Sequence, residues 1–77
     1  MQNSEIKIHI GDIIKRELYR MERSEAWLAR KIDYDRSNLH RQLSKEYIAF
    51  PLLEKISVAM KFNFFSCYCE HIQEKIV

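Results

Sequence analysis

The chain has few residues that interrupt helices, since its 77 residues include only one glycine and one proline. That scarcity favours helices joined by short connections. A single glycine also cannot form the glycine-rich loop that cradles phosphate in nucleotide-binding proteins. No apolar run approaches the roughly 18 residues of a membrane span, and no secretory signal is visible, so we expect a cytoplasmic protein.

Cysteine is scarce too, and its placement excludes several kinds of site. Cys67 and Cys69 are separated by one position, too close on a helix to bridge each other, so we expect reduced thiols. Cys67 and His71 have a spacing that allows two metal ligands, but a structural zinc site wants about four. Serine, histidine and acidic residues form no recognisable nucleophile and base pattern. We therefore expect no enzyme and no metal or cofactor, and we interpret Cys67 as a small buried hydrophobe.

The composition predicts one small folded domain with an uneven charge distribution. Apolar residues make up 47% of the chain, enough to favour folding over disorder. The length allows a single domain over residues 1–77, with its core at about 9–72, a short N-terminal arm and a C-terminal tail. Residues 15–45 hold nine basic and five acidic side chains, a net of +4 within a chain whose net charge is +2. Such asymmetry is expected of a protein that faces polyphosphate on one side.

The first helix is predicted to begin near Gly11 and Asp12, where helical spacing replaces the alternation of Ile6, Ile8 and Ile10. Asp12 would lie in the first turn, where a carboxylate complements the positive end of the helix dipole. The alternating isoleucines fit a frayed arm, an extension of the helix or a short strand, and the pattern leaves all three open. The apolar stripe of this helix comprises Ile10, Ile13, Ile14, Leu18 and Met21.

Two short helices joined by a tight turn are predicted between residues 24 and 45. Ser24 is a good cap for the second helix, and Asp35 is a good cap for the third. Asp33 occupies the turn, where a left-handed backbone is often needed and Asp tolerates it. The inward positions of the two helices are Leu28, Ala29, Ile32, Leu39 and Leu43.

The rest of the chain predicts two further helices. Pro51 is placed at the first position of a fourth helix, and Asn63 can cap a fifth. The apolar face of the fourth helix comprises Leu52, Leu53, Ile56, Ala59 and Met60. The large side chains expected to seal the bundle near the fifth are Phe64, Phe65, Tyr68 and Ile72. The predicted fold is therefore all-α.

The stretch from Ser24 to Arg41, SEAWLARKIDYDRSNLHR, resembles the Xre family, the helix-turn-helix class of the lambda-type phage repressors. The resemblance covers about residues 9 to 70. It implies a five-helix lambda-repressor-like bundle containing a helix-turn-helix, in a small stand-alone bacterial protein. Three positions depart from the family pattern. Asp33 replaces the usual turn glycine, Gln42 replaces an apolar residue, and Glu25 stands where many repressors place a phosphate-contacting glutamine.

The outward side of the third helix carries side chains that can form hydrogen bonds at base edges in the major groove. Arginines there can contact O6 and N7 of guanine, and asparagine can pair with adenine. The candidate base-reading residues are Arg36, Ser37, Asn38, His40 and Arg41. The candidate phosphate-contacting residues are Ser24, Arg30, Lys31, Lys45 and Tyr47. We interpret Trp27 as a lid on the core rather than a base-stacking group.

These features predict a sequence-specific double-stranded DNA-binding transcriptional regulator, with a recognition helix at about residues 35–45 in the major groove. A homodimer is expected, whose interface could be the C-terminal helix, the tail or the Ile6 and Ile8 arm. No membrane and no small-molecule ligand are expected. The alternative is a protein-interaction module, antitoxin-like or an anti-regulator, that uses the same bundle. A thiol or metal sensor built on Cys67, Cys69 and His71 is a third hypothesis.

Overall fold

The computed structural model describes residues 9–76, which form five helices and no strands. The helices are α1 (Ile10–Arg20), α2 (Glu25–Lys31), α3 (Arg36–Leu43), α4 (Phe50–Met60) and α5 (Phe65–Ile76). The predicted all-α fold is confirmed. The alternation at Ile6 and Ile8 lies outside the described residues. None of the helices in the described range is both long and apolar enough to cross a membrane.

A single apolar core holds the helices together. α3 packs against α1 and α2, and α4 packs against α2. All of the inward positions predicted for the second and third helices are buried. The fully enclosed side chains, each with less than 2% of its surface exposed, are Phe64, Ile10, Ile14, Leu28, Leu39, Leu43, Leu53 and Ile56. Trp27 is half-buried against this core, in agreement with its predicted role as a lid.

Three predicted caps fix where helices begin. The Ser24 hydroxyl accepts a hydrogen bond from the Trp27 N–H at 3.0 Å, and the Asp35 carboxylate accepts one from the Asn38 N–H at 2.9 Å. The Asn63 side-chain oxygen accepts one from the Phe65 N–H at 3.0 Å. Each bond satisfies a donor that the first turn of a helix leaves without an intrahelical partner. Pro51 is the second residue of α4 rather than the first, because the helix begins at Phe50.

Three helices end with a non-glycine residue in the left-handed conformation. Glu22, Asp33 and Lys61 have φ of 59°, 55° and 55°. After each of them, the next N–H reaches back to a carbonyl five residues earlier, at 2.9 Å from Arg23 to Leu18, 2.9 Å from Tyr34 to Ala29 and 3.1 Å from Phe62 to Ser57. This is the Schellman pattern, which usually places glycine at the left-handed position. The left-handed backbone predicted at Asp33 is confirmed.

The one glycine of the chain is used at a contact between helices. Gly11 is buried in the first turn of α1, beside the end of α3. A Cβ added at Gly11 would overlap the carbonyl oxygen of Leu43 and lie 2.7 Å from its carbonyl carbon. The missing side chain therefore allows the backbones of α1 and α3 to approach, and it sets the position of the far end of α3.

The prediction that Ile72 helps to seal the bundle is wrong, because its side chain is 54% exposed. Phe64 is fully buried just before α5, while Phe65, Cys67 and Tyr68 pack only partly against the core. No residue of α5 is buried, and residues 72–76 are all exposed. A helix of this length extends about 18 Å, so its second half passes beyond the packed part of the bundle. Cys67 is half-buried rather than enclosed, and this burial raises the pKa of its thiol.

Candidate nucleic-acid interface

α2 and α3 form one packed unit that presents α3 to solvent. A four-residue connection, residues 32–35, joins the two helices. Leu28 and Ala29 of α2 and Leu39 of α3 are buried in the same core cluster. The Asp35 cap fixes the first turn of α3 at the end of this connection. The direction of α3 is therefore set by packing and capping together.

Most of the exposed polar residues of α3 lie away from its buried leucines. Leu39 and Leu43 have no exposed surface, while Arg36, Ser37, His40 and Arg41 are exposed and Asn38 is half-buried. Ser37, His40 and Arg41 share the side away from the leucines. Arg36 precedes Leu39 by three positions, so it lies on the side of the leucines and is exposed because it begins the helix. We call these four residues, with Asn38, the α3 polar face. All five candidate base-reading residues belong to it.

Hydrogen bonds on the α3 polar face distinguish its members. The Arg41 guanidinium donates to the Asn38 side-chain oxygen. That oxygen is one of the two atoms an asparagine needs for paired bonds to adenine, so the Arg41 contact competes with such pairing. Arg36 and Ser37 make no side-chain hydrogen bond or ion pair with other residues of the 9–76 range. Arg36 and Ser37 are consequently the most available base-reading candidates.

A contact between α2 and α3 joins two residues that the sequence did not connect. The His40 Nδ1 and the Glu25 Oε1 are 2.9 Å apart. A carboxylate only accepts hydrogen bonds, so Nδ1 carries the proton in this pair and Nε2 remains as the second polar atom of the ring. Glu25 is the first residue of α2, and the contact therefore brings the start of α2 beside the α3 polar face. Two residues 15 positions apart give no periodic signal that could have predicted this pairing.

Basic side chains cluster beside the start of α2. Lys15, Arg23 and Glu25 line a shallow groove between α1 and α2. The Arg23 guanidinium carbon lies 5.1 Å from the centre of the Trp27 ring, a cation–π distance. Lys15 and Arg23 were not among the predicted phosphate contacts. The charge asymmetry of residues 15–45 was the only sequence signal that included them.

The predicted phosphate-contacting residues are exposed but do not form one cluster. The Ser24 hydroxyl oxygen accepts the capping hydrogen bond of α2, and its O–H can still donate to a phosphate. Lys31 lines a different groove, between the end of α2 and α4, together with Lys55 and Lys61. Lys45 and Tyr47 lie in the connection after α3, and Tyr47 is 69% exposed. Arg30 is exposed near the end of α2.

One arginine on α1 is already paired. Arg20 donates to the Glu17 carboxylate from two guanidinium nitrogens. These hydrogen bonds lower the pKa of Glu17 and raise the pKa of Arg20. Because its charge is matched locally, Arg20 is less available to an external phosphate than Lys15 or Arg23.

Within residues 9–76, no group of three or more His, Cys, Asp or Glu side chains is placed to hold a metal ion. The chain matches no protein-family profile, no curated protein and no solved structure. The chemistry of α2 and α3 is therefore the basis for a functional assignment.

Proposed function

We propose that this chain is a sequence-specific double-stranded DNA-binding protein of the lambda-repressor-like helix-turn-helix class, a transcriptional regulator that acts by occupying an operator. In this proposal α2 and α3 are the two helices of the motif, and α3 is the recognition helix that enters the major groove. The protein binds as a twofold dimer to half-sites about one helical turn apart.

The main support for the proposal is that α3 is buried in the core along one side and exposes polar side chains elsewhere. Leu39 and Leu43 anchor the helix in the core. Ser37, His40 and Arg41 are exposed on the other side, and Arg36 is exposed at the first turn. A helix with side chains is about 10–12 Å across, and the major groove of B-DNA is about 12 Å wide. A rigid helix with its polar side chains outward fits that groove without rearrangement of the protein.

Within this proposal Arg36 reads a base. It is the first residue of α3, and the N-terminal residues of a recognition helix normally meet the base edges. Two hydrogen bonds from its guanidinium to O6 and N7 of guanine would discriminate by about 1–3 kcal/mol against another base. Arg41 and Asn38 act as a bonded pair, so a change in one alters the contact made by the other.

The backbone N–H groups at the start of α2, with Lys15 and Arg23 beside them, hold the sugar-phosphate backbone. The Glu25–His40 contact places this group next to the α3 polar face. Phosphate contacts of this kind position the protein and give its affinity a strong dependence on salt. Lys45 and Tyr47 add contacts after the recognition helix.

A fluorescence anisotropy titration with random duplex at about 50 and 200 mM salt tests the proposal, because counterion release predicts a large fall in affinity between them. Selection of bound duplexes from a random pool then supplies the preferred site. Arg36→Ala should relax preference at one base pair, while Lys45→Ala should weaken all sequences alike and reduce the salt slope by about one. An affinity that does not respond to salt, or no binding at the lower salt, contradicts DNA binding.

One observation favours the alternative of a protein-interaction module. The Glu25 carboxylate lies on the surface that would approach DNA, where it opposes phosphate. A module that kept the bundle but binds a partner protein would tolerate this charge. Glu25→Gln separates the two functions, since a DNA-binding protein should gain affinity for every duplex when the carboxylate is removed. A variant with unchanged or lower affinity for all duplexes would favour the protein-interaction module.

A further inference from the structure

An apolar surface of exposed side chains lies on α4 and α5, neither of which is a main packing partner of α3. Its exposed members include Phe50 at 65%, Val58 at 72%, Phe62 at 36%, Ile72 at 54% and Ile76 at 72%. The rings of Phe50 and Phe65 are 4.8 Å apart and join the start of α4 to the start of α5. We call this surface, which includes Phe65 and Cys69, the α4–α5 apolar face. α3 packs mainly against α1 and α2, so it contributes little to this face.

The α4–α5 apolar face has a concave part and a projecting part. The concave part is a shallow groove of about 560 Å³, widely open to solvent, whose apolar lining is Phe50, Val58, Phe62 and Phe65. The projecting part is the second half of α5, where Ile72 and Ile76 lie one turn apart and both are exposed. Residues 65, 69, 72 and 76 follow helical spacing and lie along one stripe, so groove and projection share one edge of the molecule.

We infer that the α4–α5 apolar face is a twofold interface between two copies of this chain, in which the C-terminal half of each α5 enters the groove of the other copy. A groove and a projection on the same surface are self-complementary, which is the requirement of an isologous dimer. In the resulting antiparallel pairing, Ile76 of one copy approaches Phe65 of the other. The inference deepens the proposed function, because it names the surface through which two recognition helices would be joined.

The exposed area of the α4–α5 apolar face agrees with a second copy of the chain as its partner. A fully exposed aromatic side chain contributes about 200 Å². On that scale the five most exposed members together present roughly 500–600 Å² of mainly apolar surface. A standard interface buries about 800 Å² per partner. The stems of Glu54 and Lys61, which also line the groove, supply part of the remainder. Apolar patches above a few hundred Å² on a small protein are characteristic of interaction sites.

The charges around the face are also self-complementary. The groove carries one acidic residue, Glu54, and one basic residue, Lys61. On the projecting end of α5, Lys75 flanks the stripe, whereas Glu74 lies on the opposite side of the helix. A twofold pairing can therefore place Lys75 of each copy near Glu54 of the other, whereas a strongly basic partner would meet Lys61 and Lys75. These rim charges affect how the two copies align more than how tightly they bind.

Sedimentation equilibrium in the absence of DNA tests the inference. We expect the wild-type chain to be a dimer at about 100 μM, and we expect Ile76→Glu or Val58→Lys to raise the dissociation constant by roughly tenfold or more. Gln73→Glu is the matched control, since it adds the same charge to the same helix beside the stripe and should leave the dimer intact. All three residues are exposed, so thermal melts of the variants should stay close to that of the wild type.

A mixing experiment tests whether groove and helix end meet. The Val58→Lys chain keeps an intact helix end, and the Ile76→Glu chain keeps an intact groove. Their equimolar mixture should recover dimers that neither variant forms alone, because one groove is filled normally and the other pairs Lys with Glu.

Cys69 supplies a second readout, since it is exposed on the stripe and a bismaleimide spanning about 8–10 Å should join two copies in the wild type. Cys69→Ser should abolish that product.

A wild-type monomer at about 100 μM, or a dimer that both apolar-to-charged variants leave unchanged, would overturn the inference and assign the face to another protein. Failure of the mixture to dimerise would overturn the exchange of helix ends. These outcomes are separable from the proposed function. A dimer that binds no duplex removes only DNA binding, whereas a monomer that binds duplex with salt-dependent affinity removes only the interface.

Discussion

The close approach of α1 to α3 at Gly11 makes Gly11→Ala an informative substitution. Alanine is better than glycine in a helix by about 0.8–1 kcal/mol, so propensity alone predicts a more stable protein. The added methyl, however, would overlap the Leu43 carbonyl oxygen and lie 2.7 Å from the carbonyl carbon. Those are backbone atoms at the end of α3, and they cannot rotate aside as a side chain can.

The magnitude follows from these opposing effects. Overpacking a well-packed core costs about 1–3 kcal/mol, and a clash with rigid backbone belongs at the upper end of that range. After subtraction of the helix-propensity gain, we expect a net loss of about 2 kcal/mol in the free energy of unfolding. For a domain of this size that lowers Tm by about 8–16 °C. The loss is a large fraction of the roughly 4–11 kcal/mol available to a chain of this length.

Thermal and urea denaturation followed by circular dichroism measure the effect. Asp12→Ala is the control, because Asp12 is exposed in the same turn of α1 and should cost only a few tenths of a kcal/mol up to about 1 kcal/mol. We also expect Gly11→Ala to weaken binding to duplex, since separation of α1 from α3 tilts the polar face. A variant that melts at or above the wild-type temperature would refute the close approach, because propensity would then be the only effect present.

Three further predictions concern α4, α1 and α5. Lys61→Gly should stabilise the protein by up to about 1 kcal/mol, because glycine adopts the left-handed conformation at this helix end without strain, and a lower urea midpoint would contradict that account. The Arg20 hydrogen bonds lower the pKa of Glu17, so the stability that they contribute is present above the ordinary glutamate pKa and is lost as the pH falls through the lowered value. Carbon-detected NMR titration should therefore find the pKa of Glu17 rising towards its ordinary value in Arg20→Ala, and an unchanged titration would exclude the pairing. In the Ile76→Glu chain, which we expect to leave this face uncovered, maleimide labelling should modify Cys69 before Cys67, because burial raises the pKa of the Cys67 thiol and limits access to it. Mass spectrometry of the first adduct identifies the site.

Local signals in the sequence predicted most of the helix boundaries. Ser24, Asp35 and Asn63 are residue types whose short side chains accept hydrogen bonds from nearby backbone N–H groups, and all three do so. The inward leucines of α3 followed from a spacing of four residues. Exposure of Ser37, His40 and Arg41 followed equally, because the side of a short helix opposite its buried residues faces solvent. Arg36 shares the side of the leucines by spacing and is exposed because it begins the helix.

Features that depend on contacts between helices were not predictable in this way. Ile72 continues the apolar pattern of α5, but a periodic pattern does not reveal how far the bundle extends along the helix. Glu22 and Lys61 take left-handed conformations because their helices must turn there, although neither residue type favours that region. Gly11 resembled a helix-start signal, and only its distance from Leu43 shows that the missing side chain is needed for packing.

The candidate interface also combines features that local sequence signals predicted with features that depend on contacts between helices. Glu25 is the clearest example of the second kind. Taken alone, a carboxylate at the start of α2 opposes contact with phosphate. Its contact with His40 reduces that opposition without removing it, because the ring holds the carboxylate at the boundary of α2 and α3 and offsets part of its charge when protonated. The two positions should therefore be coupled in DNA binding. The double variant Glu25→Gln with His40→Ala should differ from the sum of the single variants by at least about 0.5 kcal/mol, and additive effects would mean that the contact has no role at the interface.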